Sequence, residues 1–475
     1  MCHQHTFMAN RTTLLLFLFV LCHGVALTMA LLEDEESSNN LFMMHNSKIV
    51  VETEFGEMRV LKSHRDVILD RRMHIGFITM EPKTLFVPQY LDSNLIIFIR
   101  RGEAKLGFIY DDELAEKKLK TGDVYVIPAG SAFYLVNIGE GQRLNIICSI
   151  DPSTHLGLDT FQSFYIGGGA KSHSVLSGFE SVILETAFNE SRTEIEQIFS
   201  AKLDGPFVYV GDSHAPSLWT KFLQLKNEDK VQHMKKMVQD QEEEEDDVDG
   251  GDEEKKTTKL WRKLLETVFG KVNEKARNKD TNGPPDSHNL YDKKPDFSNA
   301  YGWSKTLHGD DYHQLRKPDV GIFHVNLTAG SMLSPHVNPR AAEYCIVLRG
   351  YGKFQLVFPN GSNAMNIQIK AGDVFVVPRY FPFCQIASRD GPLEFFGFST
   401  SSRKNNPQFL AGSMSLLRTL MGPELAAAFG VSEGTLRRAL DAQHEAVILP
   451  STWAAPPENA GKMKKVHMSP KGIRT

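Results

Sequence analysis

Short apolar runs alternate with turn-forming residues through two long stretches of the chain, about residues 48–150 and 301–400. Runs of strand length, rich in Val, Ile, Phe and Tyr, are broken there by Gly, Pro, Asp and Asn, and this spacing is typical of an all-β barrel or sandwich. The two stretches share a phrase, because residues 122–128 read GDVYVIP and residues 372–378 read GDVFVVP. Such a repeat predicts two copies of one β domain.

A helical pattern follows each β-rich stretch. Apolar residues recur there at spacings of three and four, as on one face of a helix. The two patterns match position by position, with Leu184, Ala187, Phe188, Ser191 and Ile195 in the first and Leu425, Ala428, Phe429, Ser432 and Leu436 in the second. In the second pattern Pro423 suits a first helical turn and Ser432 can cap a further helix. Each β domain is therefore predicted to carry a helical arm.

The patterns divide the chain into five parts. These are a signal peptide at 1–30, a first β domain with its arm at 48–202, a connection at 203–300, a second β domain with its arm at 301–450, and a basic tail at 451–475. Within the connection, residues 242–247 are all acidic, and like-charge repulsion with little apolar content predicts unfolded chain. A short amphipathic helix is predicted at 260–272.

The first 30 residues predict entry into the secretory pathway. They combine Arg11, an apolar run from Leu14 to Leu21 and small residues up to Ala30, which is the pattern of a cleaved signal rather than of a spanning helix. Secretory entry makes three sequons into glycosylation candidates, and these lie at Asn189, Asn326 and Asn360.

Charge and cysteine content exclude several classes of function. The 475 residues are 41% hydrophobic and carry a net charge of −5, so neither nucleic acid nor a membrane surface is an expected partner. The second arm reads as a helix-turn-helix, but no basic face accompanies it, which argues against DNA binding. After signal removal, the three scattered cysteines Cys148, Cys345 and Cys384 do not make a disulfide framework. A pair between Cys345 and Cys384 stays open, although buried free thiols are the default.

The second β domain resembles the two-part cupin signature. Gly330, His336, Glu343 and Gly350 stand at the spacings of its first part, but Asn338 replaces the second histidine of that part. In the second part, Phe383 occupies the position of the remaining histidine. In enzymes of the cupin superfamily three histidines and one glutamate bind a divalent metal, so the resemblance implies a ligand set that is half complete.

The first β domain departs further from that signature. Counted back from Gly102, Pro88 and Tyr90 stand at the two histidine positions and Leu95 at that of the glutamate. Phe133 occupies the position of the later histidine. A metal site is not expected in this barrel.

Two interpretations of the second barrel stay open. His336 and Glu343 could be relics that bond to each other in a filled barrel. Alternatively, Cys345 or Cys384 could complete a metal site, and a site with Cys and His ligands would favour a single copper or zinc ion. Such a site would allow an oxidase-like activity, and a barrel mouth could bind a small ligand such as a sugar.

Two barrels with helical arms, an acidic connection and depleted ligand sets together resemble the vicilin, or 7S globulin, family of seed storage proteins. The resemblance is most specific at residues 294–299, 340–344 and 357–361. It implies a mainly β fold of two cupin jelly-roll barrels, each followed by a helical arm. It also implies that the protein is a non-enzymatic nutrient reserve that needs no cofactor. The expected assembly is a homotrimer formed through the arms, and the expected location is the protein storage vacuole or the cell exterior.

Overall fold

The structure is a computed structural model. It describes residues 41–45, 47–62, 69, 71–110, 113–152, 161–167, 172–199, 205–210 and 284–451. The predicted signal peptide, the acidic run, the helix at 260–272 and nearly all of the basic tail lie outside the described residues.

Strands dominate both halves of the chain. In the first half they are β1 (Ser47–Thr53), β2 (Gly56–Leu61), β3 (His74–Met80), β4 (Thr84–Leu91), β5 (Leu95–Arg101), β6 (Glu103–Tyr110), β7 (Glu113–Lys120), β8 (Asp123–Ile127), β9 (Phe133–Asn137), β10 (Leu144–Ile150), β11 (Ser163–Tyr165) and β12 (Phe207–Tyr209). In the second half they are β13 (His288–Asn289), β14 (Phe297–Asn299), β15 (Gly302–Leu307), β16 (Gly321–Leu327), β17 (Ser331–Val337), β18 (Glu343–Arg349), β19 (Tyr351–Val357), β20 (Asn363–Lys370), β21 (Val374–Val377), β22 (Phe383–Ala387), β23 (Leu393–Ser399), β24 (Gln408–Phe409) and β25 (Ile448–Pro450).

Among the residues that the structure describes, helices are confined to the arms and to short turns. The first arm holds a 3-10 helix at Val175–Gly178, α1 (Ser181–Phe188) and α2 (Arg192–Phe199), and the second holds α3 (Leu416–Thr419), α4 (Pro423–Ala428) and α5 (Glu433–Asp441). A further 3-10 helix spans His313–Arg316. Within the described residues, no helix is long and apolar enough to cross a membrane.

Each half of the chain forms a barrel of two facing sheets. The first barrel has one sheet in the order β1-β2-β3-β10-β5-β8-β13 and another in the order β11-β4-β9-β6-β7, with β12 beside β4. The second barrel has β14-β15-β16-β23-β18-β21 and β20-β19-β22-β17-β24, with β25 beside β17. Strand for strand the two orders correspond, which confirms the duplicated β domain. The predicted fold class, two cupin barrels with helical arms, is confirmed.

Alternating side chains explain how the barrels close and meet. In strand β8, Tyr125 and Ile127 join the interior of the first barrel, whereas Val124 and Val126 join a cluster that continues into the second barrel, because successive side chains of a strand point to opposite faces. Phe98 of the first barrel stacks on Phe396 of the second, with ring centroids 4.2 Å apart.

The two halves also exchange short segments at the barrel edges. The segment Leu41–Met44, which precedes the first barrel, pairs with β21 of the second, where the Met44 amide donates to the Val374 carbonyl at 2.8 Å. In return β13, which precedes the second barrel, pairs with β8 of the first. Each barrel thus has an edge strand covered by chain that leads into the other barrel.

Serine caps begin the last helix of each arm, α2 in the first and α5 in the second. Ser191 accepts a bond from the amide of Glu194 at 3.4 Å, and Ser432 accepts one from the amide of Thr435 at 3.2 Å, so both hydroxyls satisfy amides that the helix itself leaves free. The predicted match between the arms at these serines is confirmed.

Candidate functional site

The interior of the second barrel holds the ligand candidates that the sequence indicated. His336 lies on β17, and Glu343 and Cys345 lie on β18 of the facing sheet. Cys345 pairs with Phe375, whose ring packs on Phe354 in the core with centroids 4.2 Å apart. Alternation along β18 therefore turns Glu343 and Cys345 to the inner face.

His336 is held as a neutral, oriented imidazole. Its Nδ1 lies 2.7 Å from the carbonyl oxygen of Ser334, which requires Nδ1 to carry the proton and leaves Nε2 with its lone pair. The ring packs against Phe383 and Phe409, with centroid distances of 4.0 and 5.3 Å. Burial among these rings lowers the pKa of His336 to about 4.

Glu343 meets amides rather than the imidazole. The side-chain nitrogen of Asn405 donates to Oε1 of Glu343 at 3.3 Å. Burial raises the pKa of Glu343 to about 7, and the amides of Asn338 and Asn405 oppose that rise. Asn405 lies in the loop after β23, and sequence analysis missed it because no local pattern links residues 62 positions apart.

The two cysteines lie on different faces of the barrel wall. Cys345 is fully buried, and burial raises the pKa of its thiol well above the usual value. Cys384 lies on the outer face of β22, where it pairs with Gln355 of β19, and burial raises its pKa to about 11. The structure therefore does not bring Cys384 to His336. In the part of the chain that the structure describes, no three His, Cys, Asp or Glu side chains group closely enough to hold a metal ion.

Strand pairing corrects the alignment of the first barrel by one residue. Gln89 pairs with Phe133 as His336 pairs with Phe383, so Gln89 and not Pro88 stands at the histidine position. Leu95 remains the counterpart of Glu343 in the first barrel, because it pairs with Ile127 as Glu343 pairs with Val377. The intervening loop is one residue shorter in the first barrel, and counting back from Gly102 does not detect that.

The three sequons differ in accessibility. Asn189 ends α1 in the left-handed conformation with φ of 54°, and Asn360 lies in an exposed turn. Asn326 is half-buried within β16, where it pairs with Trp303 and Glu394 of the neighbouring strands.

Known proteins resemble this chain in sequence and in its two-barrel arrangement. A Cupin family model matches residues 40–166 and 288–437. A vicilin-like seed storage protein of Arabidopsis thaliana is 53% identical over 428 residues, which cover 89% of this chain and 82% of that protein. Vicilin of Pisum sativum is 25% identical over 434 residues, which cover 85% and 87%.

Solved structures agree on the fold. The crystal structure of vicilin from hazelnut, Corylus avellana, has a TM-score of 0.67 at 22% identity and covers 87% of this chain and 99% of that one. Vicilin from Capsicum annuum has a TM-score of 0.68 at 20% identity and covers 87% and 100%.

Two barrels that share one strand order and are matched by one family model define a cupin with two domains. Within that class, identity of 53% over most of both chains is decisive. The chain belongs to the family of vicilin-like seed storage proteins.

Proposed function

We propose that this chain is a non-catalytic reserve of amino acids in seed, in which the two barrels serve as scaffold. The observation that carries this proposal is the state of the second barrel, where His336 and Glu343 remain but Phe383 fills the position of a further ligand. Catalytic metal sites normally keep three protein ligands. Two relatives that cover 89% and 87% of the chain are named as vicilin-like seed storage proteins, which supports a storage role.

Abundance during seed development tests the storage role. We expect the protein to accumulate in bulk in maturing seed and to disappear during germination, as measured by quantitative immunoblotting. A protein that stays at trace level in seed, or that persists through germination, would contradict this role.

The proposal includes self-association into a trimer through the arms. Val182, Ile183 and Ile198 of the first arm are 60%, 48% and 61% exposed, and Leu420 and Phe429 of the second are 54% and 56% exposed. Exposed apolar clusters of this kind mark interaction surfaces. An arm at each end of a duplicated protomer suits a head-to-tail contact that closes into a ring, and three protomers complete the ring in this proposal.

Sedimentation of matched variants tests the trimer. The wild-type chain is expected at three times its protomer mass. Val182→Asp introduces a charge into the apolar surface and should shift the protein to smaller species, whereas Gln197→Asp adds the same charge at an exposed polar position of α2 and should not. A monomeric wild type would overturn the trimer.

We further propose that the chain enters the secretory pathway through the predicted signal at 1–30 and is deposited in the protein storage vacuole. The vicilin-like seed storage relative that covers most of the chain supports this route. Imaging of the full-length chain fused to a fluorescent protein in developing seed would distinguish vacuole from cell wall.

A bound metal without turnover is the second candidate. The bond from Nδ1 of His336 to a backbone carbonyl fixes the tautomer and leaves Nε2 as an acceptor, which is the orientation that metal-ligating histidines adopt. His336, Glu343 and Cys345 do not group closely enough to hold an ion in the described structure, so a copper or zinc ion would have to draw these side chains together. Elemental analysis of chelator-free protein tests this: one equivalent of metal that is lost in His336→Ala would establish it, and substoichiometric metal would exclude it.

A further inference from the structure

The two barrels differ in the cleft beside an edge strand, which is β8 in the first barrel and β21 in the second. In the second barrel, Phe42 enters this cleft. Its ring lies 6.2 Å from that of Phe358 and 5.8 Å from that of Phe381, in edge-to-face arrangements. Phe42 is only 3% exposed, so a ring from the chain's own N-terminal segment fills the cleft.

Backbone pairing identifies the residue that holds this place in the first barrel. Met44 bonds to Val374 in strand β21, and His288 pairs with Val124 in strand β8, where Val124 is the counterpart of Val374. Two residues earlier in each segment, Asp286 is the counterpart of Phe42.

Asp286 does not fill its cleft. Its side chain is 90% exposed and bonds to Nζ of Lys117 at 2.6 Å. A cavity of about 400 Å³ lies beneath, between β6, β8, Pro285 and Gln314. Small-molecule sites typically have volumes of about 300–1,000 Å³, so the cavity is large enough for a ligand.

Three side chains that line the cavity are more polar than their counterparts in the second barrel. Tyr110, Tyr125 and Ser131 line it, and by the same strand pairing they are counterparts of Phe358, Phe375 and Phe381. At all three positions an apolar ring gives way to a side chain with a hydroxyl group. None of these hydroxyls bonds to another side chain within the described residues. The cavity therefore combines apolar walls, including Phe108, with unused hydrogen-bonding groups.

We propose that this cavity of the first barrel binds a small, neutral, single-ring aromatic molecule with a hydroxyl substituent, that is, a simple phenol or aromatic alcohol. Phe42 shows that the equivalent cleft accepts a benzyl group between its walls, and aromatic contacts favour centroid separations of about 4.5–7 Å. The hydroxyls of Tyr110, Tyr125 and Ser131 supply both donors and acceptors to the substituent. An anionic ligand is disfavoured, because the described residues that line the cavity include no Lys, Arg or His side chain to pair with a negative charge.

The binding experiment uses the full chain and defined probes. Saturation-transfer NMR and calorimetry with phenol and with 4-hydroxybenzyl alcohol should show saturable binding at pH 7, and benzoate should bind at least tenfold more weakly. Absence of saturable binding of both hydroxylated probes would overturn the proposal. Benzoate binding as tight as that of phenol would overturn the assignment to neutral ligands.

Two variants locate the site by making the first barrel resemble the second. Asp286→Phe supplies a ring where Phe42 lies in the other half, and Ser131→Phe restores the counterpart of Phe381. Each should weaken phenol binding at least tenfold while leaving the melting temperature equal or higher, so a loss of binding is separable from misfolding. Undiminished binding in both variants would show that phenol binds elsewhere.

A reciprocal variant provides the matched control. Phe42→Ala opens the cleft of the second barrel, whose walls carry no hydroxyl at the three counterpart positions. It should gain a site that prefers toluene to phenol, while its phenol affinity in the first barrel stays as in the wild type. A gained site that prefers phenol would remove the role assigned to Tyr110, Tyr125 and Ser131.

Discussion

The imidazole of His336 packs against the phenyl ring of Phe383, with the two centroids 4.0 Å apart on neighbouring antiparallel strands. The resemblance to cupin enzymes implies that a metal-binding histidine occupies the position of Phe383 in those enzymes. One aromatic side chain therefore both fills the barrel and removes a ligand. The contact also explains the low pKa of His336, because the phenyl ring excludes water that would solvate an imidazolium.

Replacing that ring tests whether the rest of the site is still competent. Phe383→His should place a second imidazole beside His336 and within the barrel that contains Glu343, so we expect zinc affinity, measured by calorimetry, to rise at least tenfold over the wild type. The smaller, polar ring should cost about 1–3 kcal/mol of unfolding free energy.

The first barrel offers the control for this change. Phe133→His makes the same substitution beside Gln89 and Leu95, which are not metal ligands, and should leave zinc affinity unchanged. An equal gain in both barrels would mean that any added histidine at this strand position, and not a restored site, binds the metal.

The sequence predicted the architecture because the evidence for it is local and repeated. The phrase at residues 122–128 and 372–378 forms β8 and β21 with the turns before and after them, and the caps at Ser191 and Ser432 lie where the arm patterns placed them. Strand length, turn residues and helix caps are all readable over a few residues.

The parts that sequence analysis missed depend on contacts between distant residues. Whether Gln89 or Pro88 faces the barrel interior depends on pairing with β9, since a shift of one residue moves a side chain to the other face. The exchanged segments at Leu41–Met44 and β13 are too short to show an alternating pattern. Their role becomes visible only through the partners Val374 and Val124.

The buried carboxyl of Glu343 should make stability depend on pH. With a pKa of about 7 in the folded protein against about 4.5 for the unfolded chain, it holds a proton in the folded state that the unfolded state releases between these values. Its stabilising contribution is complete below about pH 4.5 and is lost as the pH rises through 7. Glu343→Gln should remove this loss, so the variant should gain up to about 3 kcal/mol relative to the wild type between pH 4.5 and 7.5.

Urea unfolding at several pH values measures that difference. Glu424→Gln, at an exposed position of α4, is the matched control and should follow the wild-type profile. A constant difference between Glu343→Gln and the wild type across this range would contradict a proton held at Glu343. His336 is present in all three proteins, so its own titration is common to them.

The exchanged edge segments should hold the halves together without a covalent connection. A protease site inserted between residues 211 and 283, which lie outside the described residues, should allow complete cleavage while both fragments elute together on native size exclusion. Leu41–Met44 remains on the second barrel, β13 remains on the first, and Phe98 still stacks on Phe396. Separation of the fragments without denaturant would show that the connection is required.

A cleaved chain that carries Phe98→Asp gives the comparison for that experiment. The substitution buries a charge in the contact between barrels, where Phe98 is fully buried, and an unpaired buried charge is strongly unfavourable. We expect its fragments to separate at lower urea concentration than those of the cleaved wild type. The intact chain with the same substitution reports whether the first barrel itself still folds.

Glycan occupancy should follow the local structure of the three sequons. Asn360 lies in an exposed turn in which its side-chain oxygen accepts a bond from the amide of Ser362 at 3.0 Å, and Asn189 is exposed at the end of α1. Asn326 lies half-buried in a central strand, and the hydroxyl of its sequon partner Thr328 donates to the Tyr301 carbonyl at 3.1 Å. Glycans are therefore expected at Asn360 and Asn189 in preference to Asn326.

Mass spectrometry of glycopeptides from full-length chain expressed in plant cells measures this order. Ser362→Ala should abolish the glycan at Asn360 and leave that at Asn189, whereas Thr328→Ala should change total occupancy little. Higher occupancy at Asn326 than at Asn360 would mean that transfer occurs before β16 pairs with its neighbours. In that case the folded environment of Asn326 would not govern its modification, and the same reasoning could not be applied to Asn189.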